Sequence, residues 1–335
     1  MHLWAYADGA PDTARLGRVE LARSCCYGLR SPRPIRLVRR IPAHTPIHIK
    51  PLAVDSVAAQ LVAGLALGGV YALLALALVL VHRSSGVVNI AQGGMAMLSA
   101  FVCATLVSHG WAFWPAFGAT VLLSFAGGAA VHATLVRPLR HGPALAATVL
   151  TVGLLLACNG FATWVWGPDR RRFAWPFSSG QVTIAGAAVG RSDLAVAGLT
   201  LGAAALAWLL LARSRLGLAL RASAANALGA RYAGIHVGAT VAVGWGFAAG
   251  LGAVAGVAAA GPDRLAPTML GTAFLFALAA AAVGGLDSAG VAVAAALGLG
   301  VTVELVRVHV DALAGGVPAA VGLGVLLAAV AARRW

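Results

Sequence analysis

From about residue 56 onward the chain alternates long apolar blocks with short polar breaks. Apolar runs of 18 or more residues recur, and that pattern reads as a series of membrane-crossing helices. The blocks predict spans at roughly 57–81, 87–107, 112–135, 144–166, 194–212, 238–260, 268–285, 289–306 and 313–332. The first, at about 25 residues, extends about 37 Å and crosses a ~30 Å hydrocarbon core with some tilt. Segments interrupted by Gly or Pro can be re-entrant, so about eight to ten spans are expected. The predicted fold is all-α, a polytopic transmembrane helical bundle. Residues 87–98, VVNIAQGGMAML, are the expected broken stretch: Asn89 and Gln92 need hydrogen-bond partners there, and Gly93-Gly94 offers a hinge.

One polar island, residues 214–237, lies between the blocks 194–212 and 238–260. Read as a helix, it carries Leu216, Leu220, Leu228, Tyr232 and Ile235 on one apolar stripe. Arg215, Arg221, Asn226 and Arg231 lie mostly off the stripe, and Gly229 and Gly234 loosen its far end. Such a segment is either a spacer floating at the membrane face or a docking helix that passes force from a cytoplasmic motor.

Composition narrows the function classes. A chain that is 60% hydrophobic and 10% charged is not a soluble domain, which carries about 25% charged residues. The net charge of +14 reflects membrane topology rather than nucleic-acid binding, since 9 of 24 basic residues sit in the first 50 positions and the rest in loops and at helix ends. Placing 213–237 inside puts nine arginines and one acid, Asp287, on that side. The other side, after residue 55, has six arginines with Asp169, Asp193, Asp263 and Asp311, a modest positive-inside bias. Residues 1–55 form a basic, proline-containing N-terminal extension without a signal-peptide core. They are expected to be a disordered tail or to precede the native start, with translation beginning near Val54. Peptide mapping of the mature N-terminus tests this; abundant peptides from 15–40 would count against it.

Catalytic and metal chemistry has no foothold. None of the four cysteines sits in a metal-ligand spacing. The one lysine, Lys50, is in AHTPIHIKPL, so no phosphate-binding G-x-x-x-x-G-K-[ST] loop exists. If ATP drives this protein, a separate subunit binds it, and the chain is expected not to be an enzyme. Glu304 is the only acid inside an expected span, near its outer end, and is read as snorkelling to the interface. On the external segment 167–193, Phe173, Trp175 and Phe177 are expected to be interfacial anchors or part of a docking surface.

Three motifs carry a resemblance. Arg221-Ala222 through Gly234-Ile235 and Val237 resembles the R-A-x-A-x(5)-A-R-x-x-G-I-x-V coupling loop of the branched-chain amino acid type of ABC importer permease. Residues 64–100, with Tyr71 and G-V-V-N-I-A-Q-G, resemble that family's opening, and 276–290 its late Gly-Gly turn. The similarity runs from about residue 56 to the C-terminus. It implies a multi-pass subunit of the bacterial inner membrane, surrounded by lipid. The implied partners are a second permease, two cytoplasmic ATPases and a periplasmic or lipid-anchored binding protein. It implies no cofactor in this chain, ATP and Mg being bound by the partners, and no nucleic acid. It also implies coupling through 213–237, with Arg221, Ala222, Ala224, Arg231, Gly234 and Ile235. A translocation path would be lined partly by Tyr71, Asn89, Gln92, Gly93, Gly284 and Gly285. Leucine, isoleucine and valine are the implied cargo, with urea and short amides handled by relatives. Gly94 and Ala225-Asn226 depart from the pattern, standing where relatives carry acids. The alternative, a stand-alone secondary transporter or channel, needs an ion-coupling carboxylate or a filter, and neither is found.

Overall fold

The computed structural model describes residues 54–141, 144–177, 180–184, 187–261 and 265–309, with 320, 324, 328 and 331 as isolated positions. All belong to the compact unit Pro46–Trp335. The extension at 1–53 and the expected span 313–332 fall outside the described segments.

The helices follow the apolar blocks. They are α1 (Val54–Ser85), α2 (Gln92–Ser108), α3 (Phe113–Val131), α4 (Ala144–Trp166), α5 (Arg191–Arg213), α6 (Arg215–Ala225), α7 (Ala227–Tyr232), α8 (Val237–Ala260), α9 (Gly271–Val283) and α10 (Ala289–His309). Among the described residues six helices are long and apolar enough to cross a membrane, and α2 and α9 are shorter apolar helices. These eight lie at the positions of the first eight expected spans, six of them with the length of a span, and the all-α polytopic bundle stands. A two-stranded antiparallel hairpin, β1 (Gln181–Ile184) with β2 (Ala187–Gly190), decorates the loop before α5. Below, the inner side is the one that carries residues 213–237.

Burial separates helices that look alike in sequence. In α1, residues 68–81 are buried on every face, and most of α8 is buried too. By contrast α3, α4 and α5 expose Leu122, Leu123, Leu156, Trp164 and Trp208. A helix that is apolar all round suits either a bundle centre or a lipid-facing position. Only packing assigns which.

Small residues decide that packing, because lipid removes the hydrophobic drive between helices and leaves close van der Waals contact. Helix α10 crosses α1 where a Cβ on Gly64 would sit 2.7 Å from Val301 Cα, and one on Gly300 would overlap the Gly68 backbone. Helix α8 meets α2 with Gly256 against the Ala96 carbonyl, and meets α3 with Gly128 2.6 Å from the Trp245 carbonyl by the same measure. At the inner end of α3 a π turn, His132–Val136, runs into a 3-10 turn, Arg137–His141. His132 there packs against Trp245 in a tilted ring contact, ring centres 5.9 Å apart.

The outer loop differs from expectation. Phe173 and Trp175 are buried rather than lying at the interface, in an aromatic cluster with Phe113, while Phe177 is exposed. The Arg171 amide donates to the Leu265 carbonyl at 2.9 Å, which ties this loop to the turn before α9. Buried area outweighs interfacial anchoring once the loop folds back on the bundle.

Candidate functional site

On the inner side, α6 and α7 bridge α5 and α8. Ser214 starts α6, its hydroxyl accepting from the Gly217 amide at 3.1 Å. Gly217 lies against the Leu211 carbonyl so closely that no side chain fits, and α6 is thereby pinned across the end of α5. Leu220 is buried beside Gly244 of α8, where a Cβ would come 3.1 Å from Leu220 Cδ2 and 3.2 Å from Ser84 Oγ.

The expected single helix is two. Asn226 takes an extended backbone, φ −154°, and its side-chain oxygen accepts from the Gly229 amide at 2.9 Å. An Asn whose side chain caps a new helix ends the old one. The apolar stripe consequently does not form one buried face: Leu220 is buried, while Leu216, Leu228 and Tyr232 are exposed, Tyr232 at 85%. Arg221 turns back toward the bundle, donating to the Ala212 carbonyl at 3.5 Å, at the helix end that favours a cation. Ala222 is half-buried and Ala224 exposed. Gly234 has φ +81°, and the Ile235 amide donates to the Ala230 carbonyl at 2.9 Å, which turns the chain into α8. Arg231, Gly234 and Ile235 border an open hollow of about 480 Å³ with Arg137.

The opening motif is a polar knot. Asn89 and Gln92 are fully buried. The Asn89 amide donates to Gln92 Oε1 at 3.0 Å, and its oxygen accepts from the Ala91 amide at 3.1 Å. Gln92 Nε2 donates to the Ala248 carbonyl of α8 at 2.8 Å, and the Ile90 amide donates to Thr151 Oγ1 of α4 at 3.2 Å. The broken stretch is therefore 86–91, upstream of the expected hinge. Gly93 and Gly94 lie in the first turn of α2. A Cβ on Gly93 would stand 3.1 Å from Phe274 Cβ, and one on Gly94 2.9 Å from Leu155 Cδ1. Both positions serve close approach. Gln92→Leu is expected to leave Asn89 short of a partner and lower the melting temperature in detergent by several degrees, equivalent to about 1–3 kcal/mol; unchanged melting would mean that the knot contributes nothing.

Tyr71 stacks on Phe276, ring centres 5.1 Å apart. It is the one residue of the expected path that borders an outer-side cavity of about 650 Å³, together with Val70, Met269, Glu304 and Arg307. Glu304 does not snorkel freely: its side chain is 14% exposed and pairs with Arg307 at 3.5 Å. Gly284 and Gly285 form the turn after α9, with positive φ at Gly285 (+71°) and Leu286 (+62°). The Leu286 amide donates to the Ala281 carbonyl at 2.8 Å. Helix α9 thus links the expected path residues, Phe274 reaching Gly93 and Phe276 reaching Tyr71.

Residues 60–330 match the family described as "Branched-chain amino acid transport system / permease component". The chain belongs to this permease family. A curated relative, the high-affinity branched-chain amino acid transport system permease protein BraD of Pseudomonas aeruginosa, is 28% identical over 213 residues, which cover 59% of this chain and 69% of the relative. No solved structure matches. With its apolar helices, the chain is a multi-pass inner-membrane permease, a transport subunit of its system.

Sequence reasoning passed over two residues of this permease. Trp245 donates from Nε1 to Ser85 Oγ at 3.2 Å and, with its tilted ring contact to His132, joins the inner ends of α1, α3 and α8. Its signal is a tryptophan flanked by glycines in V-G-W-G-F, inside an apolar block. Gly217 carries no local signal, because its constraint comes from Leu211 in the preceding helix.

Proposed function

We propose that this permease forms half of the translocation unit of an ATP-driven importer for branched-chain amino acids, working with a second permease, two cytoplasmic ATPases and a periplasmic or lipid-anchored binding protein. The observation that carries the reading is the inner bridge. Leu218, Leu228 and Tyr232 are exposed on α6 and α7, while Gly217 and Leu220 hold that bridge rigidly to α5 and α8. An apolar surface on a rigid bracket suits docking into a cleft of a moving subunit. In this reading ATP-driven closure of the ATPases shifts the bridge, and α5 and α8 move with it. Arg221 and Ala222 seat α6, Ala224 and Arg231 face the partner, and Gly234 and Ile235 set the exit into α8.

The path is proposed to start at the outer cavity by Tyr71 and to pass along α9 toward Gly93 and the Gly284-Gly285 turn, with Asn89 and Gln92 as its structural support. The outer cavity sets aliphatic walls such as Val70 and Met269 beside the charges of Asp193, Glu304 and Arg307, which suits a zwitterion with an aliphatic side chain handed over by a binding protein. Gly93→Leu is expected to push Phe274 away and cut uptake at least tenfold while membrane insertion persists, at an overpacking cost of about 1–3 kcal/mol. Full uptake would exclude Gly93 from the path. The assignment itself is tested in proteoliposomes that hold the assembled complex. ATP-dependent uptake of labelled leucine, isoleucine or valine that stops when the ATPases are omitted supports it. Uptake by this chain alone, driven by an ion gradient, overturns it in favour of a secondary transporter.

A further inference from the structure

A third pocket lies between the inner ends of α1, α5, α6 and α10. It is a groove of about 170 Å³ walled by Leu76, Leu80, Trp208, Leu211 and Leu220, with the side chains of Arg83 and Arg221 also on its lining. The volume is close to the ~150 Å³ apolar cavity that accommodates a benzene ring, so it fits a short length of hydrocarbon. Three observations say what kind. Arg83 is in the last turn of α1, and Leu76 lies seven residues earlier, about 10 Å deeper along the helix. The groove thus runs from headgroup level into the acyl region. Trp208 is exposed near the inner end of α5, at the height where tryptophans mark the membrane interface. No described carboxylate pairs with Arg83 or Arg221; among the described residues Asp287, the one acid on this side, is exposed in the turn before α10. Arg221 has only a long contact to the Ala212 carbonyl.

We infer that this groove is a binding site for an anionic phospholipid of the inner leaflet, with the phosphate between Arg83 and Arg221 and an acyl chain along Leu76, Leu80 and Trp208. Two guanidiniums present ten N–H donors, more than the carbonyl contact uses, and phosphate is the acceptor that the adjacent leaflet supplies. A lipid seated here touches α1, α5 and α6 at once, so it sits under the inner bridge. The inference rests on the membrane reading of the chain and not on the solute it carries.

The test is lipid retention by the full chain purified in detergent, titrated with phosphatidylglycerol or phosphatidylcholine and read by native mass spectrometry. Phosphatidylglycerol is expected to be retained at least tenfold better. Arg83→Gln with Arg221→Gln should erase that preference, while Arg83→Lys with Arg221→Lys should keep most of it. Equal retention of the two lipids by the wild-type chain overturns the site, a result that needs no variant to fold. A preference that survives the double glutamine variant also overturns it. Glycerol 3-phosphate displacing the lipid at equal concentration would mean a free phosphate site and likewise overturns it. Lipid retention is scored whether or not the chain transports anything, so failure here and failure of the importer assignment are separate results.

Discussion

Gly300→Leu is expected to abolish recovery of folded, monodisperse permease, while Gly118→Leu leaves recovery near wild type. Both replace a helical glycine in an apolar helix by the same side chain. They differ in what the new atoms meet: on Gly300 the first carbon overlaps the Gly68 backbone, and on Gly118 it meets nothing within 4 Å. Backbone cannot rotate out of the way as a side-chain tip can, so overpacking at Gly300 exceeds the usual ~1–3 kcal/mol for core insertions. Helices α1 and α10 would separate, and α1 is the most enclosed helix of the bundle. Gly300→Ala should fall between the two. Size-exclusion profiles of fluorescently tagged variants in mild detergent decide it; a normal profile for Gly300→Leu would mean that α10 does not pack on α1 in this way.

The second large effect concerns coupling. Gly234→Val should lower substrate-stimulated ATP hydrolysis in the reconstituted complex at least tenfold, with insertion and folding intact. The position is open, since a Cβ there meets nothing within 4 Å, so the effect is not steric crowding. It comes from φ +81°, where a β-branched residue is strained by about 1–3 kcal/mol. Relief of that strain swings the end of α7 and with it Tyr232 and Leu228. Asn tolerates the left-handed region, so Gly234→Asn is expected to retain most of the stimulation. Equal loss in both variants would point to something other than backbone geometry, and no loss in either would reduce the bridge to a spacer.

Much of this architecture was legible in residue order because lipid imposes a simple rule: a backbone inside the membrane must satisfy its own hydrogen bonds, so apolar runs become helices. The eight described apolar helices lie where the runs lie. The break at 86–91 overlaps the expected stretch 87–98 and is legible from Asn89, but the helix resumes at Gln92, so Gly93-Gly94 are not its hinge. Glycine in sequence signals either freedom or close approach, and only the position of Phe274 and Leu155 separates the two. The inner bridge shows the same limit. Its motif was readable, yet the stripe from Leu216 to Ile235 assumed one continuous helix, and one side-chain cap at Asn226 divided it.

By itself, then, the sequence determined membrane residence, the order of helices, the place of the inner bridge and the absence of an ATP-binding loop, all of which follow from local composition and spacing. Tertiary structure decided which apolar helices are central, which glycines are contacts, where Arg221 points, and that Glu304 pairs with Arg307 beside a cavity. The physical reason is that an apolar face is equally content against lipid or against another helix. The choice rests on close packing between residues far apart in the chain, such as Gly68 with Gly300 or Gln92 with Ala248.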